Sequence, residues 1–229
     1  RGEVASVVVV DTVEVRMLHE TALLPRWYLP REAVRGDLLE PSATTSHCPF
    51  KGDACYWHLR VADRLIEDAF WEYPEPRTGA PDLSGLLSPY LEKFDRWLEE
   101  DEEVVGHPRD PFHRVDALRS SRTVTVRAGD QVLARSDRPL AVNETGLPTR
   151  WYVPRQDVLV DLERSDTTTT CPYKGRATYW HVRGGTRIDD GAWSYEEPLS
   201  PAGALAGAVS FLGEEITVDV DADGDGARG

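Results

Sequence analysis

Cysteine is scarce in this sequence. Its three cysteines, Cys48, Cys55 and Cys171, are an odd number, and no two of them form a C-x-x-C pair. This pattern argues against a disulfide framework and against a structural zinc knuckle. Free thiols in a reducing compartment fit the pattern best, so the sequence predicts a cytoplasmic protein.

Basic residues and long apolar runs are also in short supply. Lysine and arginine number 26 against 40 aspartate and glutamate residues, which gives a formal net charge of -14. Such a field repels a phosphate backbone, so we expect no nucleic-acid partner. No apolar run approaches the roughly 20 residues that span a bilayer, and the start lacks the apolar core and cleavage site of a secretory signal. We therefore expect no membrane association.

Several familiar catalytic and cofactor-binding motifs are missing. The sequence has no G-x-G-x-x-G, no P-loop, no G-x-S-x-G elbow and no H-E-x-x-H. His107 and His113 lie close together in HPRDPFHRVD, but two histidines without a positioned carboxylate or a third histidine make a weak metal site. Surface histidines of a connector explain them better. We predict no metal and no cofactor.

What the sequence does contain is one module written twice. The segment that starts at Trp27 matches the segment that starts at Trp151, with roughly 20 identities over about 33 aligned positions. Upstream, the second copy has two extra strand-like pieces, RTVTVRA and QVLARS, so the first copy is predicted to be shortened at its N-terminus. The predicted parts are a first repeat over 1–85, a connector over 86–118, a second repeat over 119–222 and an acidic flexible tail over 223–229.

Most of each copy is predicted to form short strands. Segments such as ACYWHLRV, ATYWHVR and ITVDVD alternate in character or are rich in β-branched and aromatic residues. The exception is 88–102, where apolar residues fall at helical spacing: Leu87, Leu91, Phe94 and Leu98. The sequence thus predicts a mainly β protein of two tandem domains with one amphipathic helix in the connector. We expect the repeats to pack against each other as a pseudo-dimer.

One face of a strand is unchanged between the copies. Its polar and aromatic residues are Tyr56, His58 and Arg60 in the first copy and Tyr179, His181 and Arg183 in the second. A phenol, an imidazole and a guanidinium on one face suit a pocket that stacks a ring and pairs an anion or a carbonyl. The alternative is a solvent-facing strand surface that has diverged slowly.

The turn before this strand offers a candidate nucleophile. It reads CPFKG in the first copy and CPYKG in the second, and its proline and glycine make it tight. Cys48 and Cys171 recur, and the ammonium of Lys51 or Lys174 beside them could lower a thiol pKa. Free cysteine is among the most buried residue types, however, so a core thiol is the simpler interpretation.

The W-Y-x-P-R segment that opens each match supplies further aromatic residues. Tyr28 and Tyr152 could frame the rim of the same pocket. Trp71 and Tyr73, matched by Trp193 and Tyr195, could contribute to it as well. Core packing is the alternative interpretation for all of these residues.

The phrases WYLPRE, CPFKG and CYWHLR, with CPYKG and TYWHVR downstream, carry a family resemblance. The chain resembles the bacterial domain-of-unknown-function family 427 in its two-copy form, and the resemblance covers nearly the whole chain. It implies a compact β-tent-like fold, in which two antiparallel sheets meet at an angle, of the kind that elsewhere binds zinc or a small ligand in an aromatic pocket. The C-x-x-C pairs of the zinc-bearing relatives are missing here.

Three functions fit these observations. The leading hypothesis is a small-molecule-binding module with one pocket per repeat. The second is an enzyme that uses Cys48 and Cys171 as nucleophiles activated by lysine and histidine. The third is a scaffold whose acidic surface docks a basic protein partner.

Overall fold

The structure, a computed structural model, describes residues 1–185 and 187–221. The chain divides into two units, one over 1–108 and the other from 109 onward. The predicted tail over 223–229 lies outside the described residues. Among those residues, no helix has the length and apolar character needed to cross a membrane.

The first unit consists of two antiparallel sheets. Its strands are β1 (Gly2–Val4), β2 (Val7–Val10), β3 (Arg16–Leu18), β4 (Arg26–Pro30), β5 (Leu39–Cys48), β6 (Gly52–Val61), β7 (Arg64–Glu72), β8 (Leu86–Pro89), β9 (Arg96–Glu99) and β10 (Glu102–Glu103). The sheet orders are β10-β9-β1-β2 and β3-β4-β8-β7-β6-β5. Single-turn 3-10 helices span Arg31–Ala33, Gly36–Leu38 and Leu91–Lys93.

The second unit repeats this plan, with one strand more in its large sheet and one fewer in its small sheet among the described residues. Its strands are β11 (Val115–Arg119), β12 (Val124–Ala128), β13 (Gln131–Ser136), β14 (Leu140–Glu144), β15 (Arg150–Pro154), β16 (Asp161–Cys171), β17 (Gly175–Arg183), β18 (Ile188–Ser194), β19 (Ala208–Phe211) and β20 (Ile216–Val220). The sheet orders are β13-β12-β20 and β11-β14-β15-β19-β18-β17-β16. The 3-10 helices span Arg155–Asp157 and Ser200–Leu205.

The fold class predicted from the sequence is confirmed, because both repeats are built from antiparallel strands. In the first unit, one apolar cluster takes Val4 and Trp97 from the small sheet and Leu59 and Phe70 from the large one. Burial of these apolar side chains holds the two sheets together. The second unit has a corresponding cluster with Val124 from its small sheet and Val182 from its large one.

The predicted amphipathic helix over 88–102 is wrong. This stretch forms β8, a single 3-10 turn, β9 and β10, and β8 and β9 pair with strands of the first unit. The apolar residues that suggested a helix belong to different elements. Leu87 lies in β8 and Leu98 in β9, while Leu91 and Phe94 contribute to the core from the turn between these strands. A short apolar run of this kind does not distinguish a helix from buried strands. Residues 86–103 therefore belong to the first unit.

The first repeat is less shortened than its sequence indicated. Its β1–β2 hairpin corresponds to the β12–β13 hairpin, with shorter strands. Matching isolated bridges support the correspondence, since Val10 pairs with Val34 as Ala134 pairs with Val158. The larger difference is β11, which pairs with β14 in the second unit. The counterpart of β14 in the first unit is β3, and β3 is an edge strand among the described residues.

A tight hairpin in each unit fixes the position of the lysine that the sequence singled out. Cys48 pairs with Gly52 at the end of β5 and β6, and Cys171 pairs with Gly175 at the end of β16 and β17. The two glycines have φ values of 106° and 101°, a conformation that L side chains rarely adopt. The three residues between each cysteine and glycine therefore form the turn predicted from CPFKG and CPYKG, with the lysine as the last of them.

Candidate functional site

An ion pair between a buried turn lysine and a glutamate recurs in both units. Lys51 Nζ donates to Glu20 Oε1 at 2.5 Å, and Lys174 Nζ donates to Glu144 Oε2. Each lysine is only 9% exposed. A buried ammonium is tolerated only with a partner that replaces water, so each lysine depends on its glutamate.

Aromatic side chains surround this pair in the first unit. They line a cavity of about 430 Å3 whose floor and walls include Glu20, Lys51 and five rings: Tyr28, Tyr56, Trp71, Tyr73 and Tyr90. The cavity rim carries a second cation, because the Arg26 guanidinium lies 5.8 Å from the centre of the Trp71 ring. The cavity thus combines flat apolar walls with two cations and one carboxylate.

Hydrogen bonds fix the orientation of these rings. Trp71 Nε1 donates to the Tyr28 hydroxyl at 3.3 Å, and the Tyr56 hydroxyl shares a hydrogen bond of 2.8 Å with the Ser46 hydroxyl. Burial raises the pKa of Tyr28 to about 12, and burial together with the nearby Tyr56 raises the pKa of Tyr90 to about 12. These phenols therefore remain protonated at neutral pH and can donate hydrogen bonds.

The second unit keeps most of these aromatic residues, but it has Leu212 at the position of Tyr90 and differs at the glutamate. Its counterparts of the aromatic side chains include Tyr152, Tyr179, Trp193 and Tyr195, and Trp193 again donates to the tyrosine hydroxyl, at 2.9 Å. Glu144 has an additional partner, since His113 Nε2 lies 3.0 Å from Glu144 Oε1. The two sites are therefore not equivalent.

The structure separates the strand face that the sequence treated as one pocket. Tyr56 lines the cavity, but His58 and Arg60 are not among its lining residues. Arg60 forms an exposed ion pair with Glu40, and His58 Nδ1 accepts a hydrogen bond from the backbone N–H of Asp68 at 2.9 Å. His58 and Arg60 therefore make cross-strand contacts and do not line this cavity.

The second repeat shows the same separation. Arg183 pairs with Glu163, and His181 Nδ1 accepts from the backbone N–H of Asp190 at 3.2 Å. Asp190 has a φ of 50°, close to the 48° of its counterpart Asp68. The unchanged face is thus explained, in part, by a strained backbone position that the histidine stabilises in each repeat.

The two cysteines of the turns, Cys48 and Cys171, pack against the aromatic clusters of their own units. Burial raises the pKa of Cys48, yet the backbone N–H groups of Phe50 and Lys51 and the Lys51 ammonium outweigh it, so its pKa lies below the ordinary value. Cys55 lies elsewhere, and burial and the neighbouring Glu72 carboxylate raise its pKa. Any thiol chemistry in the first unit therefore belongs to Cys48.

We predict that iodoacetamide alkylates Cys48 several-fold faster than Cys55 in the native protein at pH 8. Alkylation follows the thiolate fraction and access, and the pKa values of these thiols shift in opposite directions. Peptide mass spectrometry over a time course measures the two rates separately. The matched variant Lys51→Met removes the ammonium and should slow the reaction of Cys48; an unchanged rate would contradict the electrostatic explanation.

Sequence reasoning missed the glutamates of the two ion pairs. Glu20 and Glu144 each stand seven residues before the tryptophan that opens the match, inside HETALLPRWY and NETGLPTRWY. That alignment was available from the repeat alone. Among the described residues, no group of three or more histidine, cysteine, aspartate or glutamate side chains is placed to hold a metal ion.

Comparison with known proteins agrees with the repeat structure. No curated protein matches the chain significantly. The sequence model of one family, described as a domain of unknown function (DUF427), matches it twice, over residues 1–100 and 116–224. The two matched segments cover most strands of both units and nearly the whole chain. The chain therefore belongs to the DUF427 family, as a tandem member.

Proposed function

We propose that the chain is a small-molecule-binding protein whose working site is the aromatic cavity of the first repeat. The observation that carries the proposal is the lining of this cavity, where five aromatic rings surround the Glu20–Lys51 ion pair. Apolar walls with a few fixed polar groups are typical of ligand sites, and a volume of about 430 Å3 suits a small organic molecule.

The charges of the cavity indicate what kind of molecule it favours. Lys51 is neutralised by Glu20, whereas Arg26 lies at the rim over Trp71. Ring faces attract planar groups by stacking, and the phenol hydroxyls and the carboxylate offer both donors and acceptors. A planar, polar ring compound therefore fits better than an aliphatic chain.

A second candidate function is thiol chemistry at Cys48. It is favoured by the two backbone N–H groups that approach the Cys48 sulfur and lower its pKa. In that case the cavity would hold the substrate, and the alkylation experiment described above tests the reactivity that such an enzyme needs. An acidic scaffold for a basic partner remains a prediction from the net charge of -14.

We expect a thermal-shift screen against planar ring compounds to find a class that raises the melting temperature of the full chain. The variant Tyr56→Ala removes a cavity wall and should weaken the apparent affinity at least about tenfold, in line with the loss of an aromatic contact and its hydrogen bond. Tyr179→Ala, at the corresponding position of the second repeat, is the matched control and should leave the affinity unchanged. A screen without hits, or equal effects of the two variants, would contradict the proposal.

A further inference from the structure

In the second repeat, the imidazole of His113 contacts the glutamate of the ion pair, Glu144. The His113 Nε2 lies 3.0 Å from Glu144 Oε1, within hydrogen-bond distance. The face of the same imidazole stacks on the Tyr173 ring, with ring centres 4.4 Å apart and planes 26° apart. Strand β11 begins two residues later and pairs with β14, which holds this histidine in place. An imidazole thus occupies the space between the glutamate and the turn aromatic.

The first repeat has the same glutamate and the same aromatic position, without such a group. Glu20 corresponds to Glu144, and Phe50, two residues after Cys48, corresponds to Tyr173. Only Lys51 bonds the Glu20 carboxylate among the described residues, through Oε1. Phe50 is 79% exposed, which is unusual for so large an apolar side chain.

The glutamate and the turn aromatic residue of the first repeat have the chemistry to bind a ring with an N–H group. A carboxylate accepts a hydrogen bond from a ring N–H, and an exposed aromatic ring offers a flat apolar surface. In the second repeat both groups are satisfied by one imidazole. In the first repeat, Glu20 also lines the aromatic cavity, so a group bound there would reach the cavity directly.

We propose that the first repeat binds an imidazole group, with a ring N–H on the Glu20 carboxylate and the ring face against Phe50. This inference rests on the function proposed above and names the class of its ligand. The imidazole could belong to a free small molecule or to a histidine side chain in an extended segment, since both present the same ring. The second source is suggested by β3, which within the described part of the chain is an edge strand, whereas its counterpart β14 has β11 as a neighbour.

The test is a titration of the full chain with 4-methylimidazole, followed by calorimetry or by ligand NMR. We expect one equivalent per chain, because His113 already occupies the second repeat. 4-Methylthiazole has a similar shape without the ring N–H and should bind at least about tenfold more weakly, as should 4-methylimidazole to the variant Glu20→Gln. Glu144→Gln is the matched control and should retain the binding. Phe50→Ala, at an exposed position that is safe for folding, should weaken it about threefold or more.

A peptide of residues 109–119 tests the second source of the imidazole. If it binds the full chain and loses binding when its own His113 is replaced by alanine, the imidazole is recognised within an extended segment, which supports the proposal. If it does not bind, or binds equally well without the histidine, a histidine in an extended segment is overturned as the source, and the proposal stands or falls on the titration with 4-methylimidazole.

The outcomes separate this inference from the proposed function. If 4-methylimidazole does not bind, while another ring compound binds in a manner sensitive to Tyr56→Ala, the imidazole inference is wrong and the aromatic cavity stands. If 4-methylimidazole binds through Glu20 and Phe50 but Tyr56→Ala has no effect on any ligand, the inference stands and the cavity is not the working site. Binding that is insensitive to both Glu20→Gln and Phe50→Ala would overturn the inference.

Discussion

Replacement of Glu144 by alanine is expected to lower the free energy of unfolding of the second unit by about 3–5 kcal/mol. The variant leaves the Lys174 ammonium without its carboxylate in a place where the lysine side chain is only 11% exposed. Removal of one partner of a buried pair costs more than the pair contributes, because the remaining charge has lost both water and its counter-charge. Urea denaturation followed by circular dichroism measures the loss.

Two further variants identify the origin of this effect. The double variant Glu144→Leu with Lys174→Met removes both charges and should recover most of the loss, because apolar replacements of a buried pair are often neutral. Glu163→Ala breaks the exposed pair with Arg183 and should change the stability little, since water screens that pair. A small effect of Glu144→Ala would show that Lys174 reaches water without its partner.

The stability difference between wild type and Glu144→Ala should depend on pH in one direction. Burial acts to raise the pKa of Glu144, but hydrogen bonds from Lys174 and His113 outweigh it, and the pKa lies below its ordinary value. A carboxyl whose pKa is depressed by folding stabilises the protein above its unfolded pKa, near about 4.3, and this contribution is lost as the pH falls through the folded pKa. We therefore expect the free energies of unfolding of the wild type and of Glu144→Ala to converge below about pH 4.

The fold was largely predictable because each turn and strand pattern of the repeat occurs twice in the sequence. The hairpin turn at Cys48–Gly52 was recognised from its proline and glycine, and the strand that follows it from its aromatic and β-branched residues. The stretch 88–102 was not, since β8 and β9 lie in different sheets with a turn between them. Periodicity within one segment carries no information about which sheet a strand joins.

The candidate site was predictable only in part. Tyr28, Tyr56 and Lys51 come together around one cavity, as the sequence comparison indicated. His58 and Arg60 share a strand face with Tyr56, but their partners on neighbouring strands draw them into local contacts. Alternation along a strand assigns a face and not a pocket, because the cross-strand neighbours decide what each side chain meets.

The sequence did not predict the contacts of His113, which the structure shows with Glu144 and Tyr173. In the sequence it was one of two histidines in a connector with no visible partner. Its partner, Glu144, lies 31 residues later at the end of β14, the fourth strand after His113, so no local motif links them. The two residues meet because β11 and β14 pair with Val115 opposite Glu144.

Replacement of His113 by alanine is expected to destabilise the second unit by about 2–4 kcal/mol. A hydrogen bond to a charged group contributes about 1.5–3 kcal/mol, and a stacked aromatic pair about 0.5–1.5 kcal/mol. Both are lost in this variant, because His113 contacts Glu144 and stacks on Tyr173. Denaturant unfolding measures the loss, and His47→Ala, at an exposed histidine, is the control that should leave stability unchanged.

The vacancy in the His113→Ala variant should then bind the group that was removed. Added 4-methylimidazole should restore part of the lost stability, as a ligand that binds only the folded state does, and 4-methylthiazole should not. The binding stoichiometry should rise from one equivalent per chain to two, because the second repeat would then present the same open glutamate and aromatic ring as the first. Stability that imidazole fails to restore would mean that the strand β11, and not the ring, makes this contact; the imidazole site inferred for Glu20 and Phe50 would then lose its structural precedent.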